Sequence, residues 1–238
     1  MFNRIINYVK RRFRGNTGII TDLEVIASSI SNPDFPWFIS FPRTGSHWIR
    51  MIMELYFEKP SLVQVFYYKD SKEFTCFHRH DVGLSICGVR NVLYLYRDPV
   101  DTVYSQLKYD RDNVEDENKI RHWTVLYGRH LSKWIFEETF TVKKTVITYE
   151  EMHKDMHETF KKICEHFNMP FDPEKLDIVL KNVSKEKLKR RIKTNIPVVQ
   201  LSPEYEKGKH VFRGKYSSFI YKLINEQNPS LGSLFNNS

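Results

Sequence analysis

The feature that most constrains the fold of this chain is a strand–loop–helix pattern near residue 40. An apolar run at residues 37–41, WFISF, has the character of a buried strand and leads through PRTGSHW into the helical segment IRMIMELYF. A strand that enters a helix through a short glycine-containing loop presents backbone N–H groups at the helix N-terminus, where the helix dipole also favours anions. The pattern therefore predicts an anion-binding loop.

Strand and helix signals alternate along the rest of the chain. Apolar runs at residues 91–96 and 144–149 are typical of buried strands, and Asp98 followed by Pro99 predicts the start of a helix. Apolar residues also recur at helical spacing over residues 117–138 and 156–167. This order predicts an α/β fold with a central parallel β-sheet flanked by helices, and the length of 238 residues fits one domain spanning residues 1–238.

The composition indicates which cellular compartment and which class of ligand to expect. The three cysteines, Cys76, Cys87 and Cys164, contain no CxxC pair, which excludes a disulfide framework or a zinc cluster and favours a reducing compartment. No apolar run approaches the ~18–20 residues of a membrane span, and the N-terminus lacks the pattern of a secretory signal, so we expect a soluble, cytoplasmic protein. The formal charge of +8 favours anionic ligands without selecting among them.

Much of the positive charge lies in two segments. Residues 1–15 form a basic amphipathic pattern that either makes weak contact with an anionic membrane surface or docks on the core with a solvated basic face. The run at 181–193, KNVSKEKLKRRIK, is either a solvated helix face or a surface that attracts an anionic acceptor. The sequence carries no signal for an oligomeric state.

The loop itself offers several donors to an anion. Gly45 permits a tight turn, Arg43 adds a planar fork of donors, and Thr44, Ser46 and His47 add polar side chains. It is not a Walker A loop, because the GxxxxGK[ST] spacing is absent.

Three segments together resemble one enzyme family. FPRTGSHWIRMIMEL resembles the 5′-phosphosulfate loop of the sulfotransferases that use 3′-phosphoadenosine 5′-phosphosulfate (PAPS), and YLYRDPVDTVYSQ resembles their 3′-phosphate motif, with Arg97 and Ser105 at the family's spacing. ITYEEM, at residues 147–152, is similar to a third family feature. The three segments occur in the family's order and at sensible distances, from about residue 37 to residue 167.

The resemblance implies a three-layer, P-loop-like fold that uses PAPS as sulfuryl donor, releases adenosine 3′,5′-bisphosphate (PAP) and needs no metal. It also implies a role for each matching position. Arg43 would contact the bridging and phosphate oxygens and take part in catalysis. The 5′-phosphate would be bound by Thr44, Gly45, Ser46 and His47, and adenine would be contacted by Trp48 and Tyr149. The 3′-phosphate would be bound by Arg97 and Ser105. Arg213 and Gly214 approximately match a segment that closes over the 3′-phosphate in the family.

The general base requires a separate argument. Like phosphoryl transfer, sulfuryl transfer has a loose, in-line transition state, so the protein mainly positions the reactants, stabilises the leaving oxygen and removes a proton. In the sequence CFHRHD, at residues 76–81, His80 is the preferred base and His78 the alternate, since a two-residue spacing places both on one face of a continuing strand. A third metal ligand at recognisable spacing is absent, so we expect no metal here.

Two other functions compete with this interpretation. A small-molecule kinase with a degenerate phosphate loop would lack the Walker lysine and an obvious acidic partner for magnesium. A nucleic-acid or membrane-binding protein would use the positive charge, but the aromatic residues follow core periodicity and no recognition motif is present, so we expect no nucleic-acid partner. For the enzyme, we expect a hydroxyl or amine acceptor on a carbohydrate or small molecule.

Overall fold

The computed structural model describes residues 23–62, 64–137, 141–183 and 203–235. The predicted amphipathic segment at 1–15 and residues 184–193 of the basic run lie outside these ranges. The strands are β1 (Trp37–Ser40), β2 (Phe77–Arg79), β3 (Asn91–Tyr96) and β4 (Lys143–Thr148). The α-helices, numbered in chain order, are α1 (Leu23–Ser31), α2 (Ser46–Phe57), α3 (Pro99–Asp110), α4 (Glu117–Leu131), α5 (Tyr149–Lys154), α6 (Met156–His166), α7 (Pro173–Asn182) and α8 (Pro203–Gln227); a π-helical segment (Ser132–Glu137) follows α4 and a 3₁₀ helix (Pro229–Leu234) follows α8.

The four strands form one parallel sheet in the order β2-β1-β3-β4. The central strands β1 and β3 are buried almost throughout, as expected for a parallel sheet covered on both faces. Because all four strands run in the same direction, their carboxyl ends lie at one edge of the sheet. The loops that follow β1, β2 and β3, which carry most of the predicted site residues, therefore meet there.

Alternating side chains along the strands divide the core into two clusters, one on each face of the sheet. On β3, Leu93 and Leu95 belong to one cluster, whereas Val92, Tyr94 and Tyr96 belong to the other. The first cluster includes residues of α2, α6 and α7, and the second includes residues of α3, α4 and α8. The predicted three-layer α/β architecture is therefore confirmed.

Local sequence signals predicted most strand and helix boundaries to within one or two residues. The helix expected after Asp98 begins at Pro99, and the Asp98 carboxylate accepts from the Asp101 N–H as an N-cap. The strand predicted over residues 144–149 ends one residue earlier, because Thr148 and Glu151 form a capping box that makes Tyr149 the first residue of α5. Residues 212–215 lie within the 25-residue helix α8. Among the described helices, none has the length and apolar character needed to cross a bilayer.

Candidate active site

The predicted anion-binding loop connects β1 to α2 through two left-handed residues. Gly45 caps α2 with φ 94° and ψ 10°, and Arg43 has φ 69°. A Cβ atom on Gly45 would lie 2.6 Å from Cδ2 of Tyr149, so the loop can approach this ring only with glycine at that position. The Thr44 hydroxyl donates to the Phe41 carbonyl at 2.8 Å, which uses that side chain to hold the loop in shape.

Backbone N–H groups at the start of α2 are available to an anion. In the described part of the chain, the N–H groups of Gly45, Ser46 and His47 donate to no backbone carbonyl, and the first N–H of α2 to do so is that of Trp48, to Gly45 at 3.0 Å. These groups lie at the positive end of the helix dipole. The loop therefore has the donor arrangement that binds a phosphate.

Arg43 connects this loop to α3. Its Nε donates to the Ser105 hydroxyl at 3.2 Å, and its guanidinium lies 4.9 Å from the centre of the Tyr109 ring. Burial lowers the pKa of Arg43, although the group remains a cation at any physiological pH. Two residues predicted for opposite ends of the nucleotide are thus in contact.

Arg97 lies at the end of β3 between the loop and α3. Its guanidinium forms an ion pair with Asp101 at 3.0 Å, stacks over the Tyr149 ring at 4.2 Å and approaches the Arg43 carbonyl at 3.4 Å. Its Nε is buried and has no hydrogen-bond partner among the described residues. A buried, unpaired guanidinium nitrogen is costly unless an anion accepts from it, so the site fits a phosphate at this position.

Helix α8 contributes Arg213 to the same cluster of charges. Arg213 Nη2 lies 2.7 Å from Asp98 Oδ1 and 2.8 Å from Asp101 Oδ1, so Arg213 and Arg97 share the Asp101 carboxylate. Gly214, predicted to bind the cofactor beside Arg213, lies on an exposed part of α8 with open space where a Cβ would stand. The structure therefore brings Arg213, but not Gly214, into contact with the predicted phosphate site.

An aromatic group lies beside the loop. The Trp48 ring is 6.2 Å from that of Tyr149 and 4.9 Å from that of His153, and the Tyr149 and His153 rings are 4.5 Å apart. Trp48 and Tyr149 were both predicted to contact adenine, and the fold places them together next to Gly45. Half-buried rings of this kind offer flat apolar surface for a base.

The two candidate bases lie around Ser40, the last residue of β1. His78 Nε2 is 3.1 Å from Ser40 Oγ, while His80 Nδ1 is 3.2 Å from the same oxygen and 3.1 Å from the Ser40 carbonyl. The two rings have centroids 4.7 Å apart, as expected for neighbours on one side of a strand. Both histidines were candidates from the sequence, which gave no role to Ser40.

The partners of each ring fix its tautomer. A carbonyl oxygen only accepts, so His80 Nδ1 carries its proton and the lone pair of the neutral ring is on Nε2. A guanidinium only donates, so His78 Nδ1, which lies 3.2 Å from Arg50 Nη1, must be unprotonated, and its proton is on Nε2, towards Ser40. Burial and the charge of Arg50 lower the pKa of His78 well below its ordinary value, so this ring is neutral.

Asp81 does not pair with the adjacent His80. Its buried carboxylate accepts from Lys133 Nζ at 2.8 Å, Trp134 Nε1 at 3.1 Å and the Ile86 N–H at 3.0 Å. The carboxylate therefore anchors the chain after β2. His130, from α4, also supports this turn, since its Nε2 lies 2.8 Å from the His80 carbonyl.

Two buried charges of α2, absent from the sequence prediction, hold the neighbouring segment 61–68. Arg50 donates to the Ser61 hydroxyl and to the Gln64 carbonyl, both at 2.8 Å. The Glu54 carboxylate accepts from the N–H groups of residues 66, 67 and 68 at 2.6–3.1 Å. This places the Phe66 ring 5.9 Å from that of His47, whose pKa falls to about 3 through burial and the charge of Arg50.

Comparison with known proteins identifies the family. The family model described as "Sulfotransferase domain" matches residues 89–236, more than half of the chain. The chain belongs to the sulfotransferase family. The expected family and fold are thus confirmed.

The curated relatives are distant and longer. Human sulfotransferase 2A1 is 27% identical over 139 residues, covering 52% of this chain and 47% of that protein. Sulfotransferase 2A1 of Macaca fascicularis is 26% identical over 159 residues, covering 60% and 54%, respectively. The chain therefore spans about half the length of the curated relatives it matches.

Solved structures share the fold over most of their length. Mouse sulfotransferase SULT7A1 complexed with PAP has a TM-score of 0.57 at 17% identity, with 90% of this chain and 92% of that chain covered. Retinol dehydratase in complex with androsterone and inactive cofactor PAP has a TM-score of 0.55 at 12% identity, covering 82% and 80%. At these identities the similarity shows the fold.

Proposed function

We propose that this protein is a PAPS-dependent sulfotransferase that acts on a hydroxyl of a small-molecule or carbohydrate acceptor, with His80 as the general base. The observation that carries the proposal is the meeting, at one edge of the sheet, of two phosphate sites and a histidine, His80, whose Nδ1 faces the Ser40 carbonyl at 3.1 Å. Arg43 joins the sites by its contact with Ser105 at 3.2 Å. The solved relatives with PAP support the choice of nucleotide.

Different residues would bind different parts of the nucleotide. The N–H groups of Gly45, Ser46 and His47 would hold the 5′-phosphate, and the Arg97 and Ser105 side chains would hold the 3′-phosphate. Trp48 and Tyr149 would contact adenine. When bound, PAPS supplies the sulfuryl group at the 5′ end, next to the loop.

The chemistry asked of the protein is limited. The Arg43 charge would stabilise the negative charge that develops on the leaving phosphate oxygen. His80 Nε2 would take the acceptor proton as the acceptor oxygen bonds to sulfur and the bond from sulfur to that phosphate oxygen breaks. The imidazolium so formed donates from Nδ1 to the carbonyl and hydroxyl oxygens of Ser40. In this scheme no step requires a metal.

The structure favours His80 over His78 as the base. Protonating His78 would turn Nδ1 into a donor facing the Arg50 donor 3.2 Å away, so this ring has no nitrogen able to accept a proton at low cost. His80 has its Nδ1 proton directed to a carbonyl, which leaves Nε2 with the chemistry of a base.

Transfer of radiolabelled sulfur from PAPS to a panel containing a steroid, a phenol and several saccharides tests the proposal. The steroid is included because one structural neighbour holds androsterone. His80→Ala should lower kcat by roughly 10²–10⁴-fold, the usual share of a general base, with PAP affinity unchanged. His122→Ala, at an exposed histidine of α4, is the matched control and should behave as the wild type. Normal turnover in His80→Ala would show that His80 is not the base. Phosphoryl transfer from ATP with magnesium, in place of sulfuryl transfer from PAPS, would favour a kinase.

A further inference from the structure

Arg50 is a charged side chain in the protein interior, where burying a charge has a high free-energy cost. Its exposed fraction is 2%, and in the described ranges no carboxylate lies within ion-pair distance of it. The Glu54 carboxylate, one turn along α2, stabilises this charge without a direct ion pair, so the hydrogen bonds of Arg50 must offset much of the cost of burying it. All three of its nitrogens are used, by the Ser61 hydroxyl, the Gln64 carbonyl and His78 Nδ1.

The contact with His78 starts a chain of hydrogen bonds. The Arg50 donor fixes His78 with its proton on Nε2, and that proton points to Ser40 Oγ at 3.1 Å. The same oxygen lies 3.2 Å from His80 Nδ1, which also carries a proton. Ser40 Oγ therefore accepts from both rings.

We propose that Arg50, His78 and Ser40 form a positioning relay that holds His80 in the tautomer with its proton on Nδ1. The relay rests on the proposed function, in which His80 Nε2 removes the acceptor proton. In the relay His78 acts through Ser40 and is a positioning residue.

The relay disfavours the His80 tautomer that carries its proton on Nε2. A serine hydroxyl with no donor to accept can rotate and donate to Nδ1 of a neighbouring imidazole, which moves the ring proton to Nε2 and removes the lone pair needed for catalysis. With His78 donating to Ser40 Oγ, the second lone pair of that oxygen is directed to the His80 Nδ1 proton. After proton transfer, two acceptors of Ser40, the carbonyl and the hydroxyl, stabilise the imidazolium.

Other titratable groups act on this pair of rings from several elements. The carboxylate of the adjacent Asp81 is paired with Lys133 at 2.8 Å. A second charge on His78 would lower the basicity of His80, so the contact with Arg50, which keeps His78 neutral, protects the base. The remaining groups are His47 and Arg50 of α2, Arg79 of β2 and His130 of α4.

The test combines histidine nitrogen NMR with kinetics on the full chain. The variants are Ser40→Ala, which removes the shared acceptor, Ser40→Thr, which keeps the hydroxyl, His78→Phe, which removes the donor, and His78→Gln, which keeps a donor to Ser40. The matched control is Thr145→Ala, which removes a hydroxyl 3.0 Å from the buried His166 on β4 and α6, outside the site. PAP binding by each variant reports that it is folded.

In the wild type we expect the proton of neutral His80 on Nδ1 and that of His78 on Nε2. Ser40→Ala and His78→Phe should lower kcat about 10- to 100-fold, the fold-change of one hydrogen bond to a charged group, with PAP affinity unchanged and part of His80 shifted to the other tautomer. The apparent pKa of the acid limb of kcat should fall in Ser40→Ala, because the imidazolium loses an acceptor. Ser40→Thr and His78→Gln should restore most of kcat, and Thr145→Ala should change neither readout.

Three results would overturn the relay: a His80 proton on Nε2 in the wild type, a wild-type kcat in His78→Phe, or a lower kcat without any change of tautomer. Failure of the proposed function gives a different pattern. If His80→Ala keeps its turnover while the tautomers respond to Ser40→Ala as expected, the relay exists but His80 is not the base. If Ser40→Ala does not fold, the His78→Phe and His78→Gln pair decides the question alone.

Discussion

Gly45 is the residue at which a single methyl group should disturb the whole nucleotide site. In Gly45→Ala the new Cβ would lie 2.6 Å from Cδ2 and 2.9 Å from Cε2 of Tyr149, so the ring must move. An L-residue in a left-handed conformation costs roughly 1–2 kcal/mol, and φ at this position is 94°. Displacing the Tyr149 ring from Arg97, 4.2 Å away, forfeits a cation–π contact of about 0.5–2 kcal/mol.

These terms predict a loss of about 1.5–4 kcal/mol in the free energy of unfolding, measured in urea. Because Arg97 and the loop both move, PAP affinity measured by calorimetry should fall about tenfold or more, since 1.4 kcal/mol is a factor of ten. The double variant Gly45→Ala/Tyr149→Ala removes the collision but keeps the backbone strain. Its loss of stability should be smaller than the sum of the single losses by about 1 kcal/mol.

Gly83→Ala is the matched control, because no atom lies within 4 Å of a Cβ at this exposed glycine. It should leave PAP affinity and stability close to those of the wild type. Wild-type PAP binding and an unchanged urea midpoint in Gly45→Ala would refute the packing of the loop against Tyr149.

Two further predictions concern stability. Asp81→Asn replaces a fully buried carboxylate, removes the counter-charge of the partly buried Lys133 and should lower the free energy of unfolding by about 3–5 kcal/mol. Asp34→Asn, at an exposed ion pair, should lower it by less than about 1 kcal/mol; similar losses in the two variants would contradict the structure. Burial lowers the pKa of both His47 and His130 to about 3. Between pH 6.5 and 3 the unfolded state therefore binds more protons than the folded state, so the free energy of unfolding must fall as the pH falls. The expected slope is up to ~1.4 kcal/mol per pH unit for each histidine. Urea unfolding at pH 7 and pH 5 measures this slope, which should be shallower in His130→Gln; a flat profile in the wild type would argue against buried, neutral imidazoles.

The sheet and the phosphate loop were predictable because their signals are local. An apolar run, a following glycine and an Asp-Pro helix start act within a few residues, so β1, β3 and the beginning of α3 were placed closely from sequence. Arg97 and Ser105 were assigned through the resemblance of YLYRDPVDTVYSQ to the sulfotransferase 3′-phosphate motif, and their position after β3 brings them to the edge where the parallel strands end. The predicted loop residues meet there for the same reason.

Ser40, Arg50 and the role of Asp81 could not be predicted, because their contacts depend on how elements are paired in space. The approach of Ser40 to both histidines requires the register in which Phe38 of β1 lies opposite His78 of β2. Arg50 resembles a solvated helix charge in the sequence, and only the packing of α2 on the sheet buries it against His78. Asp81 follows His80 directly, yet it turns towards Lys133.

The choice between the two histidines also required coordinates. Sequence spacing places both rings on one side of β2 but gives neither a partner. The Arg50 donor and the Ser40 carbonyl distinguish them, because one partner only donates and the other only accepts.

The most direct test of the central claim, that this site binds an adenosine 3′,5′-bisphosphate nucleotide, is calorimetric titration with PAP beside ATP, each with and without magnesium. The account predicts one PAP per chain, bound without metal and more tightly than ATP. Arg97→Ala should weaken PAP binding about tenfold or more, because phosphate charge is left unpaired, while Asp101 keeps its bonds to Arg213. Tighter binding of ATP with magnesium, or PAP binding that is unaffected by Arg97→Ala, would contradict it.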